Sequence, residues 1–285
     1  MNLADTSSVG GNNKIFHPIF VEATTLDDCW FRLLWHLFDK GKRYHIDDGS
    51  YAGRERLTFD HISGFVHFPH TRPLAPYVPE GTVPPPTTEH DIEQYFANYL
   101  MNSELEKNED YRYSTFIVGG EYELPPKKMS VGMRIPKYAF TEGTRFSKEV
   151  YNIYPDVINV PNQVDWVINH FKQKGFGNEH CYITVGYPES SFAYDIPYIN
   201  ENERKTSPCL RGLNFRVVEG HLILHIIYRS WDLVSGWPTN MGGFTLLNEF
   251  VASELNIIPG PVSFSCSSLH AYDHAYDYLK IRLGK

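Results

Sequence analysis

The stretch from Thr206 to Asn240 constrains the fold of this chain more than any other. Apolar and polar residues alternate through Leu213 to Val217 and again through Leu222 to Tyr228, with Glu219-Gly220 between them. A period of two on either side of a short turn pair predicts a β-hairpin with one apolar face. Such a face needs cover. The loop Asp232 to Asn240, with Gly236 and Pro238 for its turns, leads into the apolar run Met241 to Leu255, which predicts a helix capped by Asn240. A hairpin followed directly by an apolar helix requires a mixed α and β architecture, although it does not give the order of the strands.

Other segments support the same class. Thr25 to Lys40 reads as an amphipathic helix, with Thr25 as cap and Trp30, Leu33, Leu34 and Leu37 on one face. Thr88 to Met101 and Asn162 to Lys174 read likewise as helices. Leu57 to Phe68, His180 to Gly186, Val262 to Leu269 and Tyr278 to Leu283 read as extended, and the proline-dense Pro73 to Pro86 as a rigid surface connection.

The same window also concentrates chemistry. Pro208-Cys209 places a thiol at the start of a strand, and Arg229-Ser230 sets a guanidinium fork beside a hydroxyl, a good phosphate clamp. Read singly, Cys209 is a small buried hydrophobe, Arg229 a surface ion-pair partner and Asn240 a helix cap.

Read together they resemble a family. Pro208-Cys209, Arg229-Ser230-Trp231-Asp232, Gly236-Trp237-Pro238-Thr239-Asn240 and His270-Ala271-Tyr272 follow the order and approximate spacing of the motifs of thymidylate synthase and the pyrimidine nucleotide hydroxymethylases. The resemblance implies an α+β single domain over residues 17–285, with a large mixed β-sheet covered by helices on one face and a homodimer formed by sheet-to-sheet packing. Residues 1–16 are expected to be frayed, and 119–155 match nothing in the family, an insertion or an alternative edge structure.

The resemblance also implies roles. Cys209 is the nucleophile, with Glu93 and Tyr113 as further catalytic residues. Arg54, Arg56, Arg229, Ser230, Asn240, His270 and Tyr272 bind a pyrimidine nucleoside monophosphate, and Asp232 and Gly236 bind 5,10-methylenetetrahydrofolate. Cys209 adds to carbon 6 of the base and so activates carbon 5 toward the one-carbon unit. Arg229 or Arg211 would favour the thiolate. Asn240 carries a donor and an acceptor, which suits the O4 and N3-H edge of uracil. Reduction of the resulting methylene gives a methyl group and hydration a hydroxymethyl group, and the chain stops at Lys285 before the tail that folds over the folate in many members.

One departure stands out. Where the synthases carry two adjacent arginines for the partner's phosphate, this chain has Glu179-His180-Cys181, so Arg204, Lys205 or Arg211 would have to substitute, or the substrate differs. Two readings of other classes stand beside the enzyme: a non-catalytic nucleotide-binding homologue, and a cysteine hydrolase with His221 or His225 as base, for which no third orienting group is evident.

A net charge of −8 argues against binding polymeric nucleic acid. The four cysteines, Cys29, Cys181, Cys209 and Cys266, form no CxxC, so neither a zinc site nor a disulfide framework is expected. No signal peptide and no membrane-length apolar run is present, and a cytoplasmic protein is expected.

Overall fold

The computed structural model describes residues 17–47, 51–105, 109, 112–123, 157–188, 190 and 207–285. Arg204, Lys205, residues 1–16 and most of 119–155 lie outside them. The chain folds as α+β around one large mixed sheet.

That sheet has six strands: β1 (Ile19–Ala23), β4 (Ile62–Val66), β11 (Ile258–Cys266), β9 (His221–Tyr228), β8 (Leu210–Val218) and β7 (Tyr182–Thr184), in this spatial order. The β1/β4 and β11/β9 pairs are parallel, and the rest antiparallel. Alternation decides its faces: Leu222, Leu224, Ile226, Val262, Phe264 and Ile62 are buried on one side. The other side carries Ser63, His225, Ser263 and Ser265, with Phe20 62% exposed.

Helices cover the first side. α5 (Trp237–Leu255) packs on β9 and β11, and its apolar character on nearly every face fits its place between sheet and outer helices. It ends at Asn256, in the left-handed conformation at φ 53°. Around it stand α1 (Leu26–Lys40), α2 (Glu89–Tyr95) and α4 (Gln163–Lys174). Thr25 and Asn162 each cap their helix by accepting an N–H three residues on, from Asp28 and Asp165. Close approach of α2 to α5 requires Gly242 and Gly243, since a Cβ there would lie 2.7 Å from Ile92 Cδ1 and 2.4 Å from Tyr95 Cδ1.

A second, four-stranded sheet runs β10 (Trp231–Asp232), β12 (Leu269–Tyr272), β3 (Glu55–Thr58) and β2 (Lys42–His45). β9 continues through Arg229-Ser230 into β10, and β11 through Ser267-Ser268 into β12, so the parallel pairing carries over from one sheet to the next. A short antiparallel pair of β5 (Gly120–Glu123) and β6 (Val157–Val160) flanks the turn of helix α3 (Tyr113–Ile117).

Several sequence expectations are corrected. Tyr278 to Leu283 is not a strand but part of α6 (Tyr276–Leu283), because Leu279 and Leu283, four apart, are its buried residues. Leu57 to Phe68 divides between β3 and β4, in different sheets, with Asp60-His61 at the break. The helix from Thr88 leaves α geometry at Tyr95 and continues as a π turn, Phe96–Leu100. Asn240 is not a cap: α5 starts at Trp237 with Gly236 at the N-cap, because Pro238 is tolerated in the first turn, where an N–H has no helical partner.

The loop after β4 is fastened to α5 by one carboxylate. Glu249 accepts from His70 Nδ1 at 3.1 Å and from Arg72 Nη2 at 2.8 Å. Burial alone would raise its pKa, but these two partners outweigh burial and hold it at about 2. A depressed folded-state pKa gives stability that is present above the unfolded value and lost as pH falls toward 2. Discounted for solvent screening, it amounts to about 1–3 kcal/mol. Glu249→Gln is therefore expected to lower the urea-derived stability by that amount at pH 7 and by much less near pH 2, in parallel unfolding series; an equal loss at both pH values would contradict it.

Candidate active site

The site forms where the two sheets meet. Cys209 precedes β8 and is half-buried, and its carbonyl accepts from Arg229 N at 3.0 Å. The Arg229 side chain turns back on the same turn, with Nε donating to Pro208 O at 3.1 Å and Nη2 to Ser207 O at 2.8 Å. Burial pushes the Cys209 thiol up, and the guanidinium groups of Arg229 and Arg211 pull it back only in part. The thiol is therefore largely protonated near neutrality. Alkylation of Cys209 by iodoacetamide should rise about tenfold per pH unit with no plateau below about pH 8.5. A plateau near pH 7 would show a thiolate that this geometry does not provide.

A chain of aromatic groups leads away from the thiol. Tyr113 on α3 is hydrogen-bonded to Tyr228 and to the Leu210 backbone, and burial, Tyr95 and Cys209 together keep its phenol protonated. Tyr228 stacks on Trp231, with ring centroids 3.8 Å apart and planes 5° from parallel. Trp231 Nε1 donates to Asn240 Oδ1 at 2.8 Å, and the Tyr228 hydroxyl reaches the same oxygen at 3.4 Å. Because an indole N–H only donates, the Asn240 atom beside it is the carbonyl oxygen, and the NH₂ end is left for other partners.

The second sheet supplies the far side. Its register sets Asp232 beside His270 and Tyr272 beside Arg56. His270 is buried, and its Nδ1 donates to Ser268 O at 3.0 Å, which leaves Nε2 without a partner among the described residues. Burial lowers the His270 pKa, so Nε2 carries a lone pair and acts as an acceptor. Arg56 lies over the Tyr44 ring at 5.0 Å, with its buried Nε unpartnered among the described residues. Burial raises the Tyr272 phenol, and Asp232 on the neighbouring strand adds to that while Arg56 opposes it.

Asp232 Oδ1 accepts from Val234 N at 2.8 Å and Ser235 N at 3.2 Å, while among the described residues no hydrogen bond engages Oδ2. Gly236 stands one turn on, where a Cβ would lie 3.1 Å from Asp232 O.

Two expected residues stand apart. Arg54 is exposed and paired with Asp273, Nη2 to Oδ1 at 2.5 Å. Glu93 is exposed on α2, and no hydrogen bond or ion pair ties it to the groups around Cys209; the α2 residue that acts on Tyr113 is Tyr95. Ser230 follows Arg229 in the bend into β10. The sequence reading missed Tyr228 and Trp231 as site residues, although both flank Arg229-Ser230 directly. Among the described residues no His, Cys, Asp and Glu cluster could hold a metal, and no helix is long and apolar enough to cross a membrane.

The family model for thymidylate synthase matches residues 156–285, the C-terminal part that holds Cys209, Arg229, Asn240 and His270. A protein of Methanothermobacter marburgensis named "Putative thymidylate synthase" is 32% identical over 169 residues, which cover 54% of this chain and 70% of that protein. One of the same name from Methanosarcina acetivorans is 22% identical over 262 residues, 91% of this chain and 92% of the relative. With that of Methanosarcina barkeri the identity is 27% over 121 residues, so the match spans about half the length of that relative, 50%, and 42% of this chain. The chain belongs to the thymidylate synthase family.

Proposed function

We propose that this chain transfers a one-carbon unit to carbon 5 of a uracil nucleotide, with Cys209 as the nucleophile. The observation that carries this reading is the Asn240 amide, whose oxygen is held by Trp231 at 2.8 Å so that its NH₂ end is presented. A donor suits O4 of uracil and opposes the amino group of cytosine at the same position.

The chemistry then follows from the groups around the thiol. Cys209 gives up its thiol proton to solvent, Sγ forms a bond to carbon 6, the carbon 5–6 double bond opens, and its electron pair moves toward O4. Asn240 donates to that oxygen as negative charge develops there. Arg229 and Arg211 offset part of the burial that opposes the attacking thiolate. Methylenetetrahydrofolate, as the co-substrate, supplies the one-carbon unit, and the spare oxygen of Asp232 is the group proposed to hold its ring. Tyr113, a protonated phenol beside the thiol, is assigned to orient by hydrogen bonding the water that takes the proton from carbon 5. The buried Nε2 of His270 accepts from a sugar hydroxyl, with Tyr272 beside it. Arg229 with Ser230, and Arg56, face the phosphate in this reading, while Arg54 joins them only on release from Asp273.

The sheet face without helices, which carries Phe20, Ser63, His225 and Ser265, is proposed as the face of a homodimer. Incubating dUMP, UMP, dCMP and CMP separately with methylenetetrahydrofolate tests the substrate assignment. Product mass tells a methyl from a hydroxymethyl group. Modification of a uracil nucleotide in preference to its cytosine counterpart is expected; preference for cytosine would overturn the Asn240 argument.

A further inference from the structure

Arg211 is the irregular residue of β8. Pairing with β9 runs from Val218↔His221 to Gly212↔Ile227 and then jumps to Leu210↔Tyr228, so Arg211 has no partner across the ladder. A β-bulge of this kind bends its strand and re-aims the side chain of the extra residue.

The re-aimed guanidinium acts electrostatically on Cys209. It is one of two positive groups that lower the pKa of that thiol, and it also acts on the Tyr182 hydroxyl. Its Nη1 is buried and has no hydrogen-bond partner among the described residues. Space for it comes from Gly186, at φ +83°, where a Cβ would stand 3.1 Å from Nη1. The other arginine at the thiol differs: Arg229 spends Nε and Nη2 on the carbonyls of Pro208 and Ser207. Arg229 thus holds the Cys209 turn in shape, and Arg211 keeps a donor without an acceptor.

A buried charged donor left unpaired is costly, and native proteins accept that cost where a ligand completes the bond. A guanidinium fork matches a carboxylate or a phosphate, and the anion that a nucleotide brings is a phosphate. We propose that Arg211 is a further phosphate-contacting arginine of the Cys209 site, beside Arg229 and Arg56 and supplied by the same chain as the thiol. This rests on the nucleotide reading above and goes beyond it, because neither the Arg229-Ser230 pair nor Arg56 predicts a contact from the bulge.

The test compares dUMP, deoxyuridine and inorganic phosphate by titration calorimetry on wild type, Arg211→Gln and Arg211→Lys, with melting temperature as the control for folding. Arg211→Gln should weaken dUMP roughly 10- to 100-fold and leave deoxyuridine within about twofold, since only the charge-assisted contact is lost. Arg211→Lys should recover part of the loss and carries the comparison if the glutamine variant does not fold. Equal weakening of nucleotide and nucleoside, or no weakening of either, would overturn the proposal. Wild type that binds phosphate through Arg211 but neither uracil compound would uphold the anion site and overturn the nucleotide reading instead.

Discussion

Cys209→Ala should lower one-carbon transfer by at least about 10⁴-fold, the scale on which enzymes lose a covalent nucleophile. Nucleotide affinity should change by no more than about fivefold, because the sulfur removed is a small group worth roughly one methylene of contact. The two numbers belong together. A thiol that only lined the pocket would cost affinity and turnover alike, whereas a nucleophile costs turnover alone. The variant should also lose the iodoacetamide reaction at this site, and Cys29, Cys181 and Cys266, all buried, should stay slow. Burial raises the thiols of Cys181 and Cys266 to about 11 and about 12, so selective labelling of Cys209 should hold across the neutral range.

Phe264→Ala should destabilise the protein by about 3–5 kcal/mol, the usual loss for a buried aromatic ring. Phe264 is fully buried at 0% exposure and meets Trp231 and Trp237 edge-on, each at 5.9 Å. It fits only because Gly64 on β4 has no side chain, since a Cβ there would come within 2.2 Å of the ring. The consequence reaches the site. Trp231 holds the Asn240 oxygen, so a cavity behind Trp231 should loosen the amide and erode the preference for uracil over cytosine. A urea midpoint that falls at unchanged slope, with a narrower nucleotide preference, is the expected result. A loss below about 1 kcal/mol would show that the core does not depend on this ring.

Much of this was legible from residues. The hairpin was clear because alternation and the Glu219-Gly220 turn agree, and the structure extends it only to Leu210–Val218 and His221–Tyr228. α1 was clear because its cap and its apolar stripe agree. Long-range placement was not legible. Leu57 to Phe68 reads as one extended run, yet its halves pair with β2 and β12 on one side and β1 and β11 on the other, which only the folded chain reveals. Tyr278 to Leu283 misled because tyrosines favour strands locally, while the burial of Leu279 and Leu283 is a tertiary fact.

The site divides in the same way. Cys209, Arg229, Asn240 and His270 were visible as motifs, and the structure assembles them with Tyr113 around the junction of the two sheets. What the motifs did not carry is orientation. That Asn240 shows its NH₂ end, that Arg54 is tied to Asp273 and that Arg211 sits on a bulge follow from contacts between residues far apart in sequence or from strand register.

The central claim is that Cys209 activates carbon 5 of a uracil nucleotide. The most direct test is release of tritium from carbon 5 of labelled dUMP in the presence of methylenetetrahydrofolate, by wild type and by Cys209→Ala. The account predicts steady release by wild type and none above background from the variant. Equal release by both proteins would contradict it, and so would no release by a folded wild type.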